Sequence, residues 1–265
     1  MSYLKVFLSV LSFLPLALIK AEAEAVEIVE ITEIAKIKVE TAEVTYHSTT
    51  NANVKGYLAF PAAQNSYPAV VLIHEWWGLN DDIRAKARQF ASEGYVALAV
   101  DLYDGEYGNT PAQARQLAGR VRGNIDGAFS NLRAAFSYLK EHPHVQADKL
   151  ASVGWCFGGG WSYEIAKNNL GAKASVIYYG RFNPADDLDK MKASIIGHFG
   201  EEDRSIKVSD VRQFQVKLKT LAGDHQVFIY PNAGHGFANP DNPSYNQEAA
   251  NLAYKRTIDF LNQNL

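Results

Sequence analysis

The chain has one cysteine, Cys156, set in the run Gly154-Trp-Cys-Phe-Gly158 between an apolar strand-like stretch and a helical one. A nucleophile lifted on a sharp strand-to-helix turn presses together the residues two positions before and after it. Glycine at 154 and 158 removes the Cβ atoms that would collide. The thiol then stands clear of the sheet, the Phe157 N–H points into the same space, and the helix N-terminus favours a thiolate or an oxyanion there. The turn alone also admits an inert buried cysteine or a glycine-rich phosphate turn, although no Gly-x-Gly-x-x-Gly and no P-loop lysine accompanies it.

A thiol nucleophile needs a base, and the base needs an orienting carboxylate. Both follow Cys156 in the chain. The apolar run 195–199 ends in Gly200-Glu-Glu-Asp203, and the run 227–230 leads to Gly234-His235-Gly236. Asp203 taken alone is an ordinary turn residue with Glu201 and Glu202 as rivals, whereas a histidine between two glycines is not a core position. The order Cys156, Asp203, His235 is that of an α/β-hydrolase triad, and the conjunction points to nucleophilic acyl transfer.

Such residues must be held by strand ends. Strand-like runs are expected at 44–47, 54–60, 69–74, 95–100, 150–154, 174–179, 194–199 and 226–230, several of them apolar without a break. Continuous apolar runs suit parallel strands buried on both faces. Helical periodicity is expected over 82–93, 111–121, 126–141, 161–168, 208–221 and 247–262. The alternation predicts a single α/β domain over 44–265 with a mainly parallel sheet flanked by helices, its ligands outside the carboxyl ends of the strands.

The remaining sequence narrows the classes. Its 265 residues fit one large domain, and a net charge of −3 without any Lys/Arg run gives no field for nucleic acid. Residues 1–25 carry Lys5, an apolar stretch over 6–19 and small residues at 21, 23 and 25, and they read as a signal peptide cleaved near Ala23 or Ala25, with an uncleaved N-terminal anchor as the alternative because Lys20 precedes the site. Export to a periplasm, or secretion, is expected, with no stable membrane span left after cleavage. Residues 26–43 mix two- and three-residue spacings and take no assignment. His74-Glu75 fails as a zinc motif because Gly78 stands where the second histidine belongs, and His142-Pro-His144 reads as a solvated turn at a helix end, so no metal is expected.

From about Val44 onward the chain resembles the dienelactone hydrolase family of α/β-hydrolases. The resemblance rests on Gly56-Tyr-Leu-Ala-Phe-Pro61, His74-Glu-Trp-Trp-Gly-Leu-Asn80, Asp101-Leu-Tyr103, Gly154-Trp-Cys-Phe-Gly-Gly159, Tyr178-Tyr-Gly180, Gly200-Glu-Glu-Asp203 and Gly234-His-Gly-Phe237. It implies a Cys156-Asp203-His235 triad acting on a carboxylic ester, lactone or thioester without a cofactor. It also implies a role for Glu75, matching a carboxylate that contacts the resting thiol and helps to form the thiolate. The loop carrying Glu75 lies between a strand and a helix, so the Trp76 N–H is the expected second oxyanion donor beside that of Phe157. Trp77, Tyr103 and Asn239 are expected around the substrate, with core packing an open alternative for Trp76 and Trp77. The family's founding enzymes grip a substrate carboxylate with two arginines, and those positions here hold Gly105 and Asn239. Small neutral esters are therefore expected to be preferred over an anionic dienelactone, unless Arg122, Arg181 or Arg204 substitutes. A second reading keeps the scaffold as a noncatalytic carbohydrate- or small-ligand-binding protein using Trp76, Trp77 and Tyr103. A third makes Cys156 a redox-sensing thiol, although no second cysteine is present.

Overall fold

A computed structural model describes residues 37–49 and 53–265. The expected signal peptide and residues 26–36 lie outside the described residues. Eight strands form one sheet in the order β1-β2-β4-β3-β5-β6-β7-β8. β1 (Val39–Tyr46), β2 (Val54–Pro61) and β4 (Val96–Val100) pair antiparallel, and β3 (Tyr67–Ile73), β4, β5 (Val145–Trp155), β6 (Ala174–Tyr178), β7 (Ser194–Gly200) and β8 (His225–Tyr230) run parallel. The expected α/β-hydrolase architecture is the one found.

The apolar runs explain themselves by their two-residue period. Val70 and Leu72 of β3, with Ala97 and Ala99 of β4, face one core together with Ile83 and Phe90 of α1 (Asp81–Ser92) and Phe260 of α6 (Gln247–Asn264). Their neighbours Val71, Ile73, Leu98 and Val100 face the opposite core, against Leu117 of α2 (Pro111–Arg122), Leu132 and Phe136 of α3 (Ile125–Glu141) and Ile165 of α4 (Phe157–Lys167). α5 (Val208–Leu218) closes the far end through Val211 and Phe214. Helix starts follow side-chain caps: Asn80, Thr110, Asn124 and Asn246 each accept an N–H from three residues on.

Several boundaries differ from expectation, β5 for instance beginning at Val145 rather than 150, and at two of them the reason is physical. β1 begins at Val39 rather than 44, because an edge strand with mostly exposed side chains carries no buried face to produce a periodic signal. Val39 to Glu43 thus belong to the sheet, not to an unassigned extension. α4 begins at Phe157 rather than 161, because Gly158, Gly159 and Gly160 are poor helix formers, yet the first two are required by close packing. A Cβ on Gly158 would strike the carbonyls of Ile73 and His74. Among the described residues no helix is long and apolar enough to cross a membrane.

The strand order reverses at β3, with β4 on one side and β5 on the other. A crevice forms outside the carboxyl ends at such a point, and the loops after β3 and β5 border it. Those loops carry Glu75 and Cys156.

Candidate active site

Cys156 is the residue between β5 and α4, with φ 53° and ψ −110°. A non-glycine residue held there costs on the order of 1–3 kcal/mol and persists only where its surroundings fix it. They do: its N–H donates to the Tyr178 carbonyl (3.0 Å), and its own carbonyl accepts from Gly160 (3.2 Å). A Cβ on Gly154 would collide with the Gly158 carbonyl, which accounts for that glycine. Underneath, the Ser152 hydroxyl of β5 lies 2.8 Å from those of Ser162 in α4 and Ser175 in β6, tying the helix to the sheet through a buried polar cluster.

The Cys156 Sγ is 3.1 Å from Nε2 of His235, and Nδ1 of that ring is 2.8 Å from Oδ2 of Asp203. Asp203 is fixed in turn, since its Oδ1 accepts the backbone N–H groups of Ser205 (2.7 Å) and Ile206 (3.0 Å). Glu201 and Glu202 are exposed while the Asp203 side chain is buried, so Asp203 is the one of the three that meets the ring. Burial acts to lower the pKa of His235, but its hydrogen bonds to Asp203 and Cys156 outweigh that and push it up to about 10. An imidazolium between a carboxylate and a sulfur is therefore the favoured charge state.

Glu75 follows β3. Its Oε2 accepts from the Asn239 side-chain amide (2.7 Å) and its Oε1 from the Tyr179 hydroxyl (3.2 Å). Burial raises its pKa, against the lowering effect of both donors. The hydrogen bonds of the Glu75 carboxylate among the described residues are these two, and the sulfur's is to His235; the contact between this carboxylate and the thiol, implied by the family resemblance, is not among them. Next to it the buried His74 is a neutral ring. Its Nε2 accepts the Leu102 N–H (3.3 Å), so Nδ1 carries the proton and donates to the Glu75 carbonyl (2.5 Å), and burial lowers its pKa to about 4. The loop beyond is held from behind, as the Tyr103 hydroxyl donates to the Trp76 carbonyl (3.0 Å) and the Gly108 N–H to that of Trp77 (2.9 Å).

These groups open into a cavity of about 690 Å3. Cys156, His235, Glu75, Trp76, Trp77 and Phe157 line it, as expected. Phe157 is the first residue of α4, where an N–H has no intrahelical acceptor. Two pocket expectations are corrected. Tyr103 is wholly buried with its hydroxyl on the Trp76 carbonyl, and Asn239 is buried with its amide on Glu75; both support the site from outside the cavity. Of the arginines considered as substitutes, Arg122 and Arg181 line the cavity and Arg204 does not. Sequence reasoning missed Tyr179, which bonds Glu75, sets its ring edge-on to His235 at 5.3 Å and holds φ 39°. Its place at the carboxyl end of β6 was the available signal. Arg115, Phe129 and Trp161 were also missed, and they come from helices that gave no such signal.

Residues 54–265 match the dienelactone hydrolase family. A Synechocystis sp. protein named "Putative carboxymethylenebutenolidase" is 32% identical over 223 residues, covering 78% of this chain and 90% of that one. Among solved structures, a "Putative Dienelactone Hydrolase" from Klebsiella pneumoniae subsp. pneumoniae superposes with a TM-score of 0.75 at 25% identity, covering 85% of this chain and 99% of that one. The structure named m3DLH gives 0.78 at 26% identity, with 86% and 99% covered. With its fold, its matched length and these relatives in agreement, the chain is a hydrolase and belongs to the dienelactone hydrolase family.

Proposed function

We propose that the protein cleaves a carboxylic ester, lactone or thioester through Cys156, with an acyl-enzyme intermediate. The supporting observation is the continuous line from sulfur to imidazole to carboxylate, at 3.1 Å and 2.8 Å. His235 already holds the thiol proton as an imidazolium, and the Cys156 thiolate adds to the substrate carbonyl carbon. The negative charge moves to the carbonyl oxygen, which the N–H groups of Trp76 and Phe157 hold. As the tetrahedral species collapses, the bond to the leaving oxygen or sulfur breaks and His235 delivers its proton there. A water molecule then gives a proton to His235 as its oxygen adds to the thioester carbon; the carbon–sulfur bond breaks, the acid leaves, and the thiolate and the imidazolium are restored.

The cavity volume is in the range that holds drug-sized ligands rather than a small lactone alone. The test is turnover of a panel of activated esters and lactones by the wild type and by Cys156→Ala, with mass spectrometry of the quenched enzyme. Loss of turnover in the variant, and an acyl adduct on Cys156 in the wild type, are the expected results. Unchanged turnover in the variant overturns the assignment.

A further inference from the structure

The cavity over Cys156 is lined by three arginines, Arg115 and Arg122 of α2 and Arg181 beyond β6. Among the described residues none of the three has a carboxylate within ion-pair distance. The lysine of the same cavity is different, since Lys167 is neutralised by Glu164 at 2.8 Å and Asp186 at 2.9 Å. On a chain with a net charge of −3, three arginines and a lysine against two glutamates in the cavity lining make a local excess of positive charge.

The cluster is ordered with respect to the thiol. The Arg122 guanidinium carbon sits 5.5 Å from the ring centroid of Phe157, the residue after Cys156. Arg115 is seven residues earlier on the same flank of α2, roughly 10 Å further along the helix. The same lining supplies an apolar surface in Phe129, Trp161 and Trp77, together with Ile125, which is 53% exposed. An apolar wall that ends in guanidinium groups suits an amphiphile, and neither arginine occupies the positions of Gly105 or Asn239.

We propose that this cavity selects esters in which an apolar segment separates the scissile carbonyl from an anionic group, a carboxylate or a phosphate, with Arg122 as the main contact and Arg115 and Arg181 beside it. The proposal rests on the hydrolase reading above and reverses the expectation of small neutral substrates. Guanidinium pairs with either anion in a two-point geometry, which fixes orientation as well as charge.

The test compares kcat/KM for 4-nitrophenyl octanoate and the mono-4-nitrophenyl ester of suberic acid, which differ by one terminal carboxylate. The anionic ester is expected to be preferred by about tenfold or more at low ionic strength, with the preference shrinking in about 0.5 M salt. Arg122→Gln is expected to collapse the ratio, while the charge control Arg212→Gln in α5 leaves it unchanged. Calorimetric titration with octanoate, octyl phosphate and octanamide gives a second readout that needs no turnover and separates carboxylate from phosphate. Binding of either anion about tenfold tighter than the amide, lost in Arg122→Gln, supports the proposal. Equal or better turnover of the neutral ester, with no preference for either anion in binding, overturns it and leaves the hydrolase reading intact. Absence of turnover on every ester counts against the hydrolase reading, and the calorimetry then decides the anion site alone.

Discussion

Replacing Asp203 by asparagine tests the electrostatics of the site with the least disturbance of its shape. The Oδ1 that accepts from Ser205 and Ile206 has an equivalent in the asparagine carbonyl, so the turn after β7 should persist. The change falls on the other atom, where an NH2 would face His235 Nδ1 across 2.8 Å. Two donors cannot share that contact, so the ring must turn Nδ1 into an acceptor and carry its proton on Nε2, toward Cys156. In that tautomer it cannot take the thiol proton. The charge-assisted hydrogen bond is worth about 1.5–3 kcal/mol, or roughly one to two pH units of proton affinity on the imidazole. The basic limb of kcat/KM, expected near the His235 pKa of about 10, should therefore fall toward 8–9, roughly in line with that loss. With the tautomer change added, kcat/KM at neutral pH should drop by about a hundredfold to ten-thousandfold. The assay is the pH profile of kcat/KM on an activated ester, read beside the alkylation rate of Cys156 by iodoacetamide, with near-UV circular dichroism to check the fold. A variant within about threefold of wild type, or with its basic limb still near 10, refutes the reasoning.

Two further results follow from the same geometry. Gly158→Ala drives a Cβ into the carbonyls of Ile73 and His74, and the turn cannot yield without moving α4 off β3. The expected cost is roughly 1–3 kcal/mol with loss of ester turnover, read as a fall in Tm, and an unchanged Tm with full activity contradicts it. His74 and His198 are buried, which lowers their pKa values to about 4 and about 3. Both are neutral in the folded protein, whereas in the unfolded chain they bind a proton near pH 6.5. Stability is thus retained above about pH 6.5 and lost as pH falls toward 4, because the unfolded state then binds more protons. A Tm that stays flat from pH 7 to pH 4.5 would rule this out.

The proposed triad was legible because each member follows a strand and has glycines beside it, those at 154, 158 and 200 being there for steric reasons. Gly154 and Gly158 flank Cys156, Gly200 precedes Asp203 and would clash with the Ala233 carbonyl if it had a Cβ, and Gly234 and Gly236 flank His235. The sheet was legible because parallel strands buried on both faces leave unbroken apolar runs. Direction was not legible. Tyr103 and Asn239 lie beside motif residues in sequence, yet their side chains point behind the cavity, to Trp76 and Glu75. Adjacency in the chain does not fix which side of a loop a side chain takes. The far wall was hidden for another reason: Arg115, Arg122 and Phe129 belong to two helices whose only local signal is amphipathicity. Their meeting with Cys156 is made by tertiary packing alone.

The rigidity that a triad requires comes from hydrogen bonding that continues past the sheet. Among the described residues, four of the five non-glycine residues with positive φ, Asp104, Cys156, Tyr179 and Asn232, follow the carboxyl ends of β4, β5, β6 and β8. Strain of this kind is held only where neighbours leave no alternative. The Cys156 N–H donates to the Tyr178 carbonyl at 3.0 Å, the Tyr179 N–H to that of His198 at 2.7 Å, and the Glu201 N–H to that of Tyr230 at 2.9 Å. Each strand end is thereby bonded to the next, from β5 through β6 and β7 to β8. Cys156, the tyrosine that bonds Glu75, the turn of Asp203 and the loop of His235 thus hang from one hydrogen-bonded edge. Every residue of β6 is buried, so that edge cannot shift without opening the core. The separation of sulfur, imidazole and carboxylate is therefore a property of the sheet's packing rather than of the loops in which the three residues lie.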